Sequence, residues 1–305
     1  MSTYLVTGGC GFIGSHLAET LIADGHQVRI LDNLSTGKFE NKAAAAELTL
    51  GDVADVETVR RAMVGIDGCF HLAAVASVEK SNRDWLGTHR TNLTGAITVF
   101  DAACASARQA PVVYASSAAV YGNNPNLPLT EEATTHPLSA YGADKLGCEQ
   151  HALVAGQVHG VPTCGLRFFN VYGPRQDPAS PYSGAISIFC DRLRSSRNIT
   201  IYGDGLQIRD FIFVKDVIQA LIAAMMKASH QAPVYNVCTG RATTILRLVD
   251  LIASLLNLPA NAEHGASRHG DIRRSLGDPS RARSGLGFEA QTNLRMGLSA
   301  TIDAL

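Results

Sequence analysis

The first half of the chain alternates short apolar runs with longer amphipathic ones. Runs of strand length cover residues 4–7, 27–31, 46–50, 68–72, 111–115 and 163–167. Between them, apolar positions recur at helical spacing over 12–24, 56–63, 83–108 and 140–157, the third long enough for one helix or a pair. Strand then helix, repeated, predicts a parallel sheet covered by helices on both faces. The pattern loosens after residue 170. Residues 173–183 are rich in Pro, Gly and Ser and predict a loop that opens a second region. A helix over 185–194, a strand over 199–202 and a loop through Gly203-Asp204-Gly205 follow. A helix over 214–229 and a strand over 234–237 return to the sheet, and the chain from about 242 onward is expected to be helical and irregular. The expected fold is α/β: a doubly wound parallel sheet over 1–170 with 212–238 returning to it, and a smaller α/β substrate-binding region over 171–211 and 239–305. A ligand is expected between the two.

Composition narrows the partners. A chain of 305 residues exceeds one typical core, so one large or two smaller domains fit. It is 46% hydrophobic and 17% charged, as in a compact globule. The net charge is −1 and no basic block occurs, which leaves nothing to hold a nucleic-acid backbone. The apolar stretch over 217–226 is interrupted by Gln219 and is too short to cross a bilayer. The N-terminus has no basic segment followed by a long apolar core, so neither a membrane association nor a secretory leader is expected. Seven scattered cysteines, none spaced Cys-x-x-Cys, predict reduced thiols in the cytoplasm and no zinc site. The ten histidines lack metal-ligand spacing, and His264 and His269 fall in a Gly/Arg-rich loop, so no metal is expected. His71, Cys69 and Cys148 are expected to be packing residues.

Two motifs carry chemistry. Thr7-Gly-Gly-Cys-Gly-Phe-Ile-Gly14 sits between the first predicted strand and helix. Gly8, Gly11 and Gly14 allow a tight turn and close backbone approach to a pyrophosphate resting on the helix N-terminus, as in a Rossmann dinucleotide site. Asp32 ends the second strand, 18 residues after Gly14. A carboxylate there can bind the adenosine ribose hydroxyls and repels a 2′-phosphate, which favours NAD over NADP. Asp52, beside Val53 after the third strand, either meets the adenine amino group or caps the following helix. The second motif is Tyr141-Gly-Ala-Asp-Lys145, placed after Ser116-Ser-Ala-Ala-Val-Tyr-Gly122. On a helix, positions i and i+4 share a face. A cation beside a phenol favours the phenolate and makes a usable general base.

Taken together, these residues resemble the extended short-chain dehydrogenase/reductase family, and within it the UDP-hexose 4-epimerases of the galactose epimerase type. The resemblance spans nearly the whole chain. It adds Asp32-Asn-Leu-Ser-Thr-Gly37, His71-Leu-Ala-Ala74, Arg167-Phe-Phe-Asn-Val-Tyr-Gly-Pro-Arg175, Ile201-Tyr-Gly-Asp-Gly205, Arg209-Asp-Phe211 and Arg268-His-Gly-Asp271. It implies that Ser117 binds the sugar 4-hydroxyl, that Tyr141 is the base, and that Lys145 holds the nicotinamide ribose and activates Tyr141. It implies a cofactor lining of Gly8, Gly11, Phe12, Ile13, Gly14, Asp32, Asn33, Asp52, Val53, Leu72, Ala73, Ala74 and Asn92. Asn170, Arg209, Arg268 and Asp271 would hold the uridine diphosphate, where an arginine fork suits phosphate oxygens.

The reaction so implied is removal of hydride from C4 to NAD, rotation of the 4-keto sugar about its diphosphate, and return of hydride to the other face. Dehydratases that resemble this chain carry acids after the catalytic Ser or Thr. Here Ala118 and Ala119 stand there, which disfavours elimination. In the family that the chain resembles, the residue four beyond the motif aspartate, here Asp271, lines the sugar pocket. A tyrosine there confines the site to glucose and galactose; this chain has the small Ser275. UDP-GlcNAc/UDP-GalNAc is therefore the expected pair, with UDP-Glc/UDP-Gal beside it. Phe168 departs from the tyrosine often found there and weakens any transfer of individual sugar contacts. The resemblance also implies a homodimer through 83–108 and 140–157. The alternatives are a UDP-uronate 4-epimerase and, from other classes, a non-catalytic NAD(H) sensor or a dehydrogenase that releases NADH.

Overall fold

Alternate residues of the central strands belong to two different apolar clusters. Val6, Phe70, Val113, Cys164 and Leu166 join one, and Leu5, Cys69, Val112 and Tyr114 join the other. A strand buried this way has no solvent face, which is why the runs read as continuously apolar. The computed structural model, which describes residues 1–178, 184–267 and 272–305, shows the resulting layers.

The chain begins with β1 (Thr3–Thr7), α1 (Phe12–Ala23), β2 (Gln27–Asp32), β3 (Glu47–Leu50), α2 (Val56–Met63) and β4 (Gly68–His71). Then come α3 (Val78–Arg83), α4 (Trp85–His89), α5 (Gly95–Ala105), β5 (Val112–Ser117), α6 (Ala140–His159) and β6 (Thr163–Phe168). Next are β7 (Asn170–Tyr172), α7 (Ala185–Arg194), β8 (Ile199–Tyr202), β9 (Ile208–Arg209), β10 (Phe211–Phe213) and α8 (Val214–Met225). The chain closes with β11 (Val234–Val237), β12 (Thr243–Thr244), α9 (Ile245–Leu256), β13 (Ala262–Gly265), α10 (Ser280–Leu286) and α11 (Leu294–Asp303).

Seven strands form one sheet in the order β3-β2-β1-β4-β5-β6-β11, every neighbour parallel. Helices α1 and α8 cover one face through Leu17, Leu21, Val217 and Leu221. Helices α2, α5 and α6 cover the other through Val59, Met63, Val99, Phe100 and Ala152. The order reverses between β1 and β4, so the crevice opens at the carboxyl ends of those strands. A third cluster, including Phe189, Ile201, Phe211, Leu248 and Leu298, lies around three two-stranded pairs: β7 with β10, β8 with β13, and β9 with β12.

Several elements differ from the sequence expectation. The segment 83–108 holds a helix pair, α4 and α5, the second of the two readings its length allowed, but its borders and junction were not foreseen. Helix α3 starts earlier, at Val78, and Asp84 ends it while capping α4 by accepting from Gly87 N at 3.0 Å. A π turn, Arg90–Thr94, joins α4 to α5, which stops at Ala105 because Ser106 is extended. Strands β7, β9, β10, β12 and β13 were not expected. Most are two or three residues long, too short for an alternation to register.

Candidate active site

Fifteen of the predicted site residues share one cavity of about 420 Å³ at the carboxyl ends of the sheet strands. They are Gly8, Gly11, Phe12, Ile13, Gly14, Asp32, Asn33, Val53, Leu72, Ala73, Ala74, Ser117, Tyr141, Lys145 and Asn170.

At one end, the turn after β1 leads into α1, whose N-cap, Gly11, makes no side-chain cap. The first amides of the helix therefore remain for an anion, in the positive end of the helix dipole. A Cβ on Gly14 would stand 2.2 Å from Gly8 O, so no other residue fits this turn. Asp32 is buried at the end of β2. Its two oxygens accept from Cys10 N at 2.9 Å and Leu34 N at 2.8 Å. Each oxygen keeps a lone pair for a vicinal hydroxyl pair.

The middle wall is the backbone after β4. Thr7 Oγ1 accepts from Leu72 N and Ala73 N, both at 3.2 Å, and contacts His71 Nδ1 at 2.8 Å. With two amides donating to it, the hydroxyl donates to His71 Nδ1. Burial, followed by the charge of Lys145, pushes the His71 imidazole down to about 3, so it is neutral. Asn92 sits in the π turn and does not line the cavity. Its Oδ1 accepts from Val75 N at 2.7 Å and its Nδ2 donates to Val75 O at 3.1 Å. It holds the wall rather than forming it. Asp52 is also outside the wall: its Oδ1 accepts from Ala54 N at 2.9 Å, and Arg90 lies 3.7 Å from its Oδ2. The helix cap is Asp55, which accepts from Thr58 N, so the capping reading of Asp52 is corrected.

At the other end, Ser117 closes β5, and its Oγ accepts from Ala119 N at 3.1 Å. Helix α6 begins with Ser139 capping Gly142 N. A Cβ on Gly142 would lie 2.8 Å from Ala119 O, so only glycine lets α6 come this close to the segment after Ser117. Tyr141 N donates to Ser81 Oγ at 3.1 Å, which moors the first turn to α3. The buried Lys145 donates from Nζ to Ala115 O at 2.8 Å, and its Nζ lies 5.9 Å from the Tyr141 ring centre.

Beneath these groups lies a polar network that sequence spacing did not announce. Arg167 on β6 meets Glu149 on α6 in a fork, Nε to Oε1 at 2.9 Å and Nη2 to Oε2 at 2.8 Å, both residues buried. Ser116 Oγ donates to Glu149 Oε1, and Arg167 Nη1 donates to Tyr121 OH, which donates to Asn236 Oδ1. The network ties α6, β5, β6 and β11 together under Ser117 and Lys145. Glu149 stands four residues past Lys145, and that spacing on the same helix was the available clue.

Arg209 lies elsewhere. It lines a second cavity of about 280 Å³ with Tyr202, Gln207, Arg192 and Phe211. Asn170, Val171, Gln176 and Gly184 line both cavities, so the two adjoin there. The corner beside Arg209 is held by the buried Asp210, which accepts from Thr239 N, Thr239 Oγ1 and Gly240 N at 2.7–2.9 Å. Burial raises the Asp210 carboxyl above its ordinary range. Ser275 N donates to Ile208 O at 3.0 Å, and Ile208 bridges Arg274 in parallel, which puts Ser275 on the Arg209 face of that strand edge. It lines neither cavity among the described residues. Arg268 and Asp271 lie outside the described residues. Among the described residues no His, Cys, Asp and Glu cluster could hold a metal, and no helix is long and apolar enough to cross a membrane.

A parallel sheet with a glycine-lined turn, an acid ending its second strand and a Tyr-Lys helix beside them defines a dinucleotide-dependent enzyme. The family model for the NAD dependent epimerase/dehydratase family matches residues 4–238, and the chain belongs to that family. Its cofactor is NAD, which the uncapped α1 N-terminus, the Gly14 approach and the Asp32 lone pairs fit. The chain is 36% identical to the UDP-glucose 4-epimerase of Mycolicibacterium smegmatis over 98% of its length and 97% of the relative's. Its structure superposes with a TM-score of 0.94 on a UDP-N-acetylglucosamine 4-epimerase from Methanobrevibacter ruminantium in complex with UDP-N-acetylmuramic acid. The identity there is 36%, covering 99% of this chain and 97% of that one. It superposes with a TM-score of 0.95 on the UDP-glucose 4-epimerase of Thermotoga maritima with UDP-glucose, at 34% identity over 99% and 98% of the two chains.

Proposed function

We propose that this protein inverts C4 of a UDP-hexose, with UDP-GlcNAc/UDP-GalNAc as its main pair and UDP-Glc/UDP-Gal as a second. The observation that carries this reading is the shared cavity wall: Ser117, Tyr141 and Lys145 stand in the same cavity as the glycine-rich turn and Asp32. The chemistry that NAD supplies when bound is reversible redox at C4. Tyr141 takes the 4-hydroxyl proton at its phenolic oxygen and gives it back. Lys145, buried and with one of its three donors committed to Ala115 O, presents its charge to the phenolate and its other donors to the ribose. Ser117 orients the hydroxyl. Ala118 and Ala119 offer no acid, so the sugar is not dehydrated.

The second cavity takes the uridine diphosphate, with Arg209 and Asn170 on the phosphates. Fixing the nucleotide there leaves the sugar free to turn. Two stretches, 171–211 and 239–305, supply this nucleotide-sugar region, and 1–170 with 212–238 the cofactor region. Exposed Trp85, Leu86, Val154 and Val158 on α4 and α6 fit a homodimer through these helices. The chain is similar to relatives named for UDP-glucose and for UDP-N-acetylglucosamine alike, and the preference for the acetamido pair rests on the small Ser275 of the sequence motif.

Separate incubation with UDP-GlcNAc, UDP-Glc and UDP-GlcA, followed by proton NMR, tests the reading. The C4 epimer should form from the first and, more slowly, from the second. Turnover of UDP-GlcA alone would replace it by a uronate epimerase. Ser275→Tyr should abolish acetamido turnover and spare UDP-Glc; full acetamido turnover in that variant would remove the gatekeeper role.

A further inference from the structure

The segment from Pro174 to Asp177 follows β7 and joins the wall of the larger cavity through Arg175, Gln176 and Asp177. It is moored at three points, two on α1 and one on the cavity-lining loop after β2. Pro174 O lies 2.9 Å from His16 Nε2, and Arg175 Nη2 lies 2.6 Å from Glu19 Oε1. His16 and Glu19 are one turn apart on α1, just past the glycine-rich turn. The third mooring is Lys38 Nζ to Asp177 Oδ2 at 3.1 Å. Lys38 belongs to the loop after β2, which with Ser35, Thr36 and Gly37 lines the cavity next to Asp32. Arg175 has a φ of +67°, a left-handed backbone unfavourable for arginine, so its conformation is imposed by its contacts rather than by preference.

A dinucleotide that extends from Asp32 past the α1 N-terminus toward Tyr141 therefore passes between the glycine-rich turn and this segment. We infer that residues 174–177 form a clasp that retains NAD, with the Lys38–Asp177 and Arg175–Glu19 pairs as its fastenings. Release of the cofactor then requires both pairs to part. The inference concerns cofactor retention and is independent of which sugar is turned over.

The test is exchange of bound NAD in the NAD-loaded protein against excess isotope-labelled NAD, read by mass spectrometry after rapid gel filtration. Lys38→Met and Asp177→Asn should each speed release about two- to fivefold, the range open to one partly exposed pair. Adding Arg175→Ala should multiply the effect. The swap Lys38→Asp with Asp177→Lys should return the rate towards wild type, and raised salt should speed release in wild type more than in Lys38→Met. Asp177→Asn separates the clasp from a direct role of Lys38 on the anionic cofactor. A direct role predicts slower release when Lys38 is freed from its carboxylate, and the clasp predicts faster release. Unchanged exchange in Lys38→Met, slower exchange in Asp177→Asn, or a swap as fast as the single variants would each overturn the inference.

Discussion

Two arginine forks among the described residues make an instructive pair. Arg167 and Glu149 are buried under the Tyr-Lys helix, whereas Arg273 and Asp204 form the same bidentate geometry at 2.6 and 2.7 Å on a half-exposed surface. The first fork lies where four strands or helices meet, in a sheet whose registers run for up to six residues. The second lies beside strands of two residues. Identical geometry thus serves different ends. In the sheet half it fixes the groups that would do chemistry. In the other half, Arg209 and Asn170 ride on short strands around an open cavity, which suits recognition more than positioning.

The largest expected effect falls on the rigid half. Tyr141→Phe should lower kcat about 10²–10⁴-fold, the usual contribution of a general base, while NAD stays bound at wild-type stoichiometry. A fully active Phe variant would break the assignment. Next is the buried fork. Glu149→Ala strands the Arg167 charge in the interior and should cost about 3–5 kcal/mol in urea unfolding. Glu149→Leu with Arg167→Met should recover most of that loss. Arg273→Ala should shift the unfolding midpoint too little to resolve, although Arg273 holds the Asp204 carboxyl well below its usual range. Equal losses from the two forks would erase the contrast.

Smaller effects sharpen it. Arg209→Lys loses the fork on phosphate and should raise KM for the UDP-sugar about tenfold with kcat nearly unchanged. A fall in kcat alone would move Arg209 into the rigid half. The last effect is a slope. His71 is held neutral, down to about 3 against 6.5 for the free residue, so the unfolded chain binds the extra proton. Stability is complete above pH 6.5 and falls as pH drops towards 3, by at most about 1.4 kcal/mol per unit for this one group. His71→Asn should flatten that slope between pH 7 and 5 in chemical denaturation.

The same contrast governs what the sequence disclosed. Sheet strands such as 163–167 are apolar on both faces and leave a long unbroken run, so the doubly wound sheet was legible. The glycine-rich turn and Asp32 were legible because each occupies a fixed place relative to a strand end. The partners of Glu149 were not, because Arg167 lies on another element and only the fold brings them together. Asn92 was expected in the cofactor lining, but it instead holds Val75 from a π turn that no periodicity marks. Asp52 and Asp55 illustrate a similar limit: two acids three apart both suit a helix start, and only the backbone path decides which one caps it. Strands β9 and β12, at two residues each, carry no pattern at all; their pairing comes from the corner that Asp210 locks.

The central claim is that one cavity holds NAD against Tyr141 and uses it without net consumption. The most direct measurement follows UDP-GlcNAc with the purified NAD-loaded protein and no added cofactor, by proton NMR and by the absorbance of reduced nicotinamide together. The C4 epimer should accumulate over many turnovers while no reduced cofactor builds up in proportion to product. Reduced nicotinamide formed in step with an oxidised sugar, or no epimer from any UDP-hexose, would contradict it.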